Sequence, residues 1–331
     1  MSTSYIGRRA LMKGAAAAAI IWPVAVEAQQ ARTYRIGYLT LPSRESAHGV
    51  SDTFELALRG LGWINGKNAV LDYRFANNDM ERLARFAAEL VESRPDVIVA
   101  GANAVVLTLK KLTRTIPIVT FLAADPVGSG LVASLAHPGG NVTGLTSTAG
   151  PEIYGKQLQL LKSGFPKISR VAIVVSRTSP VYAGILRETG IATQALGLQQ
   201  QIVEIRAPEE LEDAFATLSR RADAIYVTAD SLFYQHRVRL AQLAAKTRLP
   251  AMWGLREQAE AGGLMAYATD LHDLGRRAAI FVDKILKGAK PADLPVEQPT
   301  KFDLIINMRT AKMLGLTIPQ ALLLRADQVI E

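Results

Sequence analysis

No cysteine occurs anywhere in the 331 residues. Thiol catalysis and thiolate metal sites are therefore excluded, and no disulfide can brace the fold, so stability must come from buried apolar surface. Histidine is scarce as well. His48, His137, His236 and His272 are scattered, with no HExxH spacing, and no metal site is expected from them. There is no G-x-x-x-x-G-K-[ST] loop, no G-x-S-x-G elbow, and no serine, histidine and acid that stand out as a triad. Charge of one sign is never concentrated. The formal net charge is +8, yet the densest basic pairs are Lys110-Lys111 and Arg220-Arg221, which read as solvated helix faces. No nucleic-acid-binding motif matches, so no nucleic-acid partner is expected. The apolar run Gly14–Val26 (GAAAAAIIWPVAV) is too short to cross roughly 30 Å of hydrocarbon.

What is present begins with an export signal. Arg8-Arg9 precede the apolar run, and Val26-Glu27-Ala28 offers small residues where a signal peptidase reads, so residues 1–28 are expected to be cleaved off between Ala28 and Gln29. The arginine pair with Leu11, Met12 and Lys13 resembles a twin-arginine signal in which Gly7 stands in place of serine or threonine. An ordinary Sec signal is the alternative. With no cysteine after the signal, a lipid anchor is excluded, and the expected location is free in the periplasm with no permanent membrane anchor. The remaining chain of about 300 residues is long enough for two domains. Its composition, 49% hydrophobic and 21% charged, is that of a folded globular protein.

Short β-rich runs alternate with helical periodicity. YRIGYL (34–39), AVLDYRF (69–75), DVIVA (96–100) and IPIVTF (116–121) read as strands, with helices between them, including 79–93 and 103–113. The pattern restarts with helix 152–162 and strand 170–175, then helix 180–196 and strand 201–205. Helix 208–220, strand 224–228 and helix 231–247 complete it. Continuous apolar strands between such helices imply parallel sheets covered on both faces, hence an α/β protein of two doubly wound lobes. The stretch 137–151 (HPGGNVTGLTSTAGP) reads as the break between them, and 264–270 and 288–301 as two further crossings. The expected domains are lobe 1 at 33–146, with a helix at about 271–288 returning to it, and lobe 2 at 151–268, with the C-terminal segment of about 299–331 assigned to it.

Ligands of parallel α/β sheets sit beyond the carboxyl ends of the strands, where helix N-termini present free N–H groups. The candidate rim is therefore Thr40 and Ser43, then Gly101, Asn103 and Ala104, then Asp125, on the first lobe. On the second it is Ser176, Thr178 and Ser179, then Asp230, then Tyr267 and Asp270. Such a rim suits a small zwitterion. Hydroxyls and helix-start N–H groups would take its carboxylate, and Asp230, Asp270 or Asp125 its ammonium. Asp125, Ser179, Asp230 and Asp270 also stand where a helix N-cap is expected, which alone explains the residue type. Gly128–Ala133 (GSGLVA) satisfies G-x-G-x-x-A after a strand and at the start of an expected helix. No strand ending in an acid follows at the required distance, so no dinucleotide and no other cofactor is expected.

The stretch 94–146, with VTFLAADPVGSGLVASLAHPGGNVTG within it, resembles the substrate-binding proteins of ABC transporters. More narrowly it is similar to the family whose members bind aromatic amino acids such as tryptophan. The likeness extends through LGWINGKNAVLDYRFANND, GKQLQLLKSGFPKISRVAIVV and RLPAMWGLREQAEAGGLMAYATD, and so over essentially the whole mature chain. The resemblance implies a type I periplasmic-binding-protein fold, with two Rossmann-like lobes, three hinge strands and a ligand cleft between the lobes. It places the ligand loops at Thr40–Ser43, Gly101–Ala104, Asp125-Pro126, Ser176–Ser179, Asp230 and Tyr267–Asp270. Where the family commonly has a tyrosine or another aromatic before Gly254, this chain has Met252-Trp253; Trp253 either stacks on a planar ligand or fills the core. The expected function is a non-enzymatic receptor that traps a small solute, an amino acid or related carboxylate, and delivers it to a membrane permease with a separate ATPase. The alternative is an exported α/β hydrolase with a dispersed active site in the cleft. A repressor-type sensor would need a DNA-binding helix-turn-helix where the export signal stands.

Overall fold

Two sheets, each covered by helices on both faces, follow from this alternation. The computed structural model describes residues 1–2, 32–148, 150 and 152–331, so the export-signal features, including the cleavage position, lie outside the described residues. The first lobe opens with β1 (Tyr34–Thr40), α1 (Arg44–Gly60), β2 (Ala69–Phe75) and α2 (Met80–Glu92). It continues with β3 (Val97–Gly101), α3 (Asn103–Leu112), β4 (Ile118–Ala123) and β5 (Val142–Thr146). These strands make a wholly parallel sheet of order β2-β1-β3-β4-β5.

The second lobe runs through α4 (Glu152–Gly164), β6 (Arg170–Ser176), α5 (Tyr182–Ala195), β7 (Gln199–Ile205), α6 (Leu211–Ala216) and α7 (Leu218–Arg221). Next come β8 (Ala224–Val227), α8 (Ser231–Gln235), α9 (Arg237–Thr247), β9 (Ala251–Trp253), α10 (Arg256–Glu260) and β10 (Met265–Ala268). The chain ends with α11 (Leu271–Leu286), β11 (Asp303–Asn307), α12 (Met308–Leu314), α13 (Gln320–Leu323) and β12 (Gln328–Ile330). The second sheet has the order β12-β11-β10-β9-β8-β6-β7, parallel except where β10 meets β11.

Helix α11 follows a strand of the second sheet but packs on the first. Its Leu274, Ala278, Val282 and Ile285 are buried with Ile36, Tyr38, Val50 and Phe54 of β1 and α1. On the opposite face of that sheet Leu83, Leu90, Val105 and Leu109 of α2 and α3 close over Ile98 and Ile118. The backbone thus passes between lobes after β5, between β10 and α11, and between α11 and β11. Residues 33–331 form one compact unit. Trp253 is 0% exposed within the second-lobe core, so it fills the core and does not line a cleft.

Five expectations are corrected. Val142–Thr146, read as part of an interlobe loop, is a fully buried parallel strand whose glycine disguised it. Gly128–Ala133 opens no helix, because Asp125 turns the chain there, accepting from the Gly128 N–H at 2.9 Å while Pro126 O accepts from Leu131 and Val132. The helix expected over 208–220 is a 3₁₀ turn followed by two short helices, and that over 231–247 is interrupted at His236 (φ −98°, ψ 20°). Lys110, read as solvated, folds back to donate to Gly130 O and Leu131 O, both at 2.7 Å.

Gly144 has φ +126°, and a Cβ there would lie 1.9 Å from Thr120 O on the neighbouring strand. Gly144→Ala is therefore expected to destabilise the fold by more than about 3 kcal/mol, against about 1 kcal/mol for Gly130→Ala, which has room around it. Urea denaturation of the two variants checks the contrast.

Glu257 is buried, and neither of its carboxylate oxygens has a hydrogen-bond partner among the described residues. Burial pushes its carboxyl up to about 7, with Glu260 and Asp270 adding to the effect. Because the folded value exceeds the unfolded one, the folded state binds the proton more tightly, and stability falls as pH rises from about 4.5 through 7. Glu257→Gln should match the parent near pH 4.5 and exceed it by about 3 kcal/mol at pH 8. Equal unfolding midpoints at both pH values would contradict the buried anion.

Candidate ligand-binding cleft

The carboxyl ends of the two sheets face each other across a cavity of ≈ 540 Å³, inside the roughly 300–1,000 Å³ range of small-molecule sites. Eight of the sequence-predicted residues line it: Thr40, Gly101, Asn103 and Ala104 from the first lobe, and Thr178, Ser179, Asp230 and Tyr267 from the second. The other four do not. Ser43 caps α1, accepting from Ser46 N at 3.2 Å. Asp125 holds the turn already described. Asp270 caps α11, accepting from His272 N at 2.8 Å and Asp273 N at 3.3 Å, and faces a second pocket beside the hinge. Ser176 lies beneath the wall, where it bonds Thr178 at 3.1 Å and supports Asp230. In each case the local need for a cap or brace decides the side chain's direction.

Asp230 differs from the other caps because it also opens onto the cavity. One of its oxygens accepts from Leu232 N at 2.9 Å, and the Ser179 and Ser176 hydroxyls bond its carboxylate. Burial outweighs these three stabilising contacts and pushes its carboxyl up to about 6. It is the one acid among the described residues of the cavity wall.

On the opposite lobe, α3 begins without a side-chain cap. Ala102 immediately before it has φ 129°, a backbone region that costs a non-glycine residue about 1–3 kcal/mol and tends to mark ligand sites. Residues 101–104 line the cavity, so the first-turn N–H groups of α3 are available there. Gly101 is required by packing, since a Cβ would meet Thr40 Oγ1 at 2.8 Å and Phe121 at 2.9 Å. Asn103 offers its backbone rather than its amide. That amide donates to Ala124 O (2.6 Å) and Ser129 Oγ (2.8 Å) and accepts from Ala124 N (2.7 Å).

Reading strand ends missed the aromatic walls. Tyr38, Phe121, Tyr154, Tyr226, Tyr234 and Phe302 all border the cavity, and Phe302 stacks on Tyr267 with ring centres 5.6 Å apart. Tyr38 sits within β1 and looks like core in sequence; Tyr154 lies on a helix and Tyr234 reaches across from the other lobe, so no local pattern marks them. Tyr226 donates its hydroxyl to Gln157, which donates in turn to Tyr267 O at 2.7 Å and fixes that wall. Burial pushes the Tyr154 phenol up to about 12. Among the described residues no group of His, Cys, Asp and Glu could hold a metal ion.

Residues 38–330 match the family described as ABC transporter substrate binding protein. The chain belongs to that family. It is a binding protein and not an enzyme, as the sequence resemblance implied. It is 28% identical over 283 residues to a tyrosine-binding protein of Clostridioides difficile (strain R20291), covering 85% of this chain and 81% of the relative. It is similar to the solved ABC domain in complex with L-Trp from Streptococcus pneumoniae, with TM-score 0.84 and 26% identity over 90% of this chain and 100% of that one. A ligand-free, open structure of a Clostridium difficile substrate-binding protein with adhesive properties matches at TM-score 0.66 and 24% identity, over 90% and 99% of the two chains. The fold is that of type I periplasmic binding proteins. No helix among the described residues is long and apolar enough to cross a membrane.

Asn103→Leu is expected to lower stability by about 2–4 kcal/mol, because it strips three bonds from the loop that forms one wall. A thermal melt measures it; an unchanged melting temperature would mean that the loop holds itself.

Proposed function

We propose that this substrate-binding protein is the periplasmic receptor of an ABC importer and that it captures an aromatic α-amino acid between its lobes. The observation that carries the reading is a carboxylate on one lobe and an uncapped helix N-terminus on the other, both at the wall of one cavity. Asp230, the single acid among the described residues of the wall, belongs to the second lobe, and the uncapped N-terminus of α3 belongs to the first. An amino acid would put its ammonium on Asp230 and its carboxylate on the α3 N–H groups, with Thr40 and Thr178 at hand as hydroxyl donors. A ligand gripped at both ends by different lobes favours the closed arrangement, because half of its contacts are lost when the lobes part. The aromatic walls would enclose a planar side chain. Relatives described as tyrosine-binding and as an L-Trp complex support the same ligand class. The closed form would then dock on a membrane permease whose ATPase is a separate polypeptide, and the leader at 1–28 would direct the chain out of the cytoplasm.

Asp230→Asn is expected to weaken L-tyrosine and L-tryptophan by more than tenfold while leaving the weak binding of their deaminated analogues, which carry no ammonium, nearly unchanged. Since Asp230 must be ionised to pair with an ammonium, parent affinity should fall as pH drops through about 6. Calorimetry between pH 5 and 8 tests both statements. A flat pH profile together with full affinity in Asp230→Asn would remove the zwitterion model.

A further inference from the structure

We infer that α8 is an interlobe clasp, in which Tyr234 and Gln235 grip Ser46 and Asn78 of the first lobe and so set ligand affinity through the open–closed balance. For the ligand's part in it, the inference rests on the receptor function above.

Helix α8 is only five residues long, yet its side chains belong to two different cores. Leu232 and Phe233 are buried in the second lobe. Tyr234, the next residue, is buried among Tyr38, Val50, Phe54, Phe121 and Leu271 of the first. Its hydroxyl donates to Ser46 O on α1 at 2.8 Å. From the second lobe, the Arg237 guanidinium stands 4.9 Å from the centre of the Tyr234 ring and donates to Tyr234 O at 3.0 Å, steadying the tyrosine that reaches across. Beside it, the Asn78 amide donates to Gln235 Oε1 at 2.7 Å and to Ser231 O at 3.3 Å. Asn77 and Asn78 both have φ 56°, and Asn78 N donates to Leu41 O at 2.7 Å, so two consecutive left-handed residues tied to the end of β1 present that amide across the cleft.

These contacts join protein to protein. Opening the cleft must withdraw an aromatic ring from an apolar cluster and break the bonds to Ser46, Gln235 and Ser231. The same helix carries Asp230 as its N-cap, bonded to Leu232 N. Ligand capture at Asp230 and the clasp at Tyr234 and Gln235 are therefore moved by one short rigid element. When the binding-competent form is only a fraction of the population, apparent affinity scales with that fraction, so clasp strength translates directly into affinity.

The absence of cysteine allows the test in the full chain. Leu56→Cys on α1 and Val238→Cys on α9, at positions 65% and 54% exposed, give one spin label on each lobe. Pulsed electron-spin distance measurements on ligand-free protein should show a populated short distance. Tyr234→Ala should shift that population to the long distance and weaken L-tyrosine or L-tryptophan by about tenfold. Tyr234→Phe, which loses only the bond to Ser46, and Asn78→Gly, which keeps the left-handed backbone, should each shift both readouts by about threefold. Affinity that drops with unchanged distances would make these residues ligand contacts and overturn the clasp; so would a ligand-free parent that is entirely open, or variants that alter neither readout. Should neither amino acid bind the parent, the proposed ligand class fails, and the ligand-free distances alone decide the clasp.

Discussion

In a parallel sheet every strand ends at the same edge, and every following helix begins there. The cleft depends on this constraint. Two such edges face each other here, so strand-end loops and helix N-termini are the material from which both walls are made. Each helix start brings unsatisfied N–H groups that must find acceptors. Where a side chain supplies the acceptor, as Ser43 does for α1 and Asp270 for α11, the terminus is closed to a ligand. The terminus of α3 has no such side chain and opens on the cavity. Capping chemistry therefore sorts helix starts into those closed by their own side chains and those, α3 on the first lobe and α5 on the second, whose N–H groups stay available at the cavity.

Asp230 serves both needs at once. It accepts from its own helix and is held by two serine hydroxyls, yet it remains at the cavity wall in surroundings poor enough in water to raise its pKa to about 6. A carboxylate in that state gains more from a cationic partner than a solvated one does, because its desolvation cost has already been met within the fold. Asp270 has the same residue type and the same capping role just beyond a strand, but it faces outward beside the hinge. The difference between the two aspartates is one of orientation and not of chemistry.

The hinge topology explains how so short a helix as α8 can matter to both lobes. Because α11 returns to the first sheet, the first-lobe core is completed by residues from late in the chain, and Tyr234 adds one more from the second lobe. Tyr234 and Ser46 are 188 residues apart in sequence. With no disulfide to restrain the lobes, their relation is set by backbone at three crossings and by such cross-cleft contacts, which a ligand can reinforce.

Much of this was legible in the sequence. Apolar strands of five to seven residues alternating with amphipathic helices are dictated by local periodicity, and they fixed the two doubly wound lobes, most of the strands and the strand-end rim. Val142–Thr146 was not legible, because a buried strand carrying Gly144 and preceded by Pro138, Gly139 and Gly140 has the composition of a loop. The interruption at His236 and the turn at Asp125 were hidden because Tyr234 and Asp125 are directed by contacts that helical spacing does not encode. By itself the sequence determined which residues stand at the ends of strands, since that depends on neighbours along the chain. Only the tertiary structure decided which of their side chains face the cavity, that Trp253 fills the core, and that tyrosines from mid-strand and mid-helix line the walls. Those outcomes depend on the rotation of each helix against its sheet and of one lobe against the other, and such angles arise from packing between distant segments.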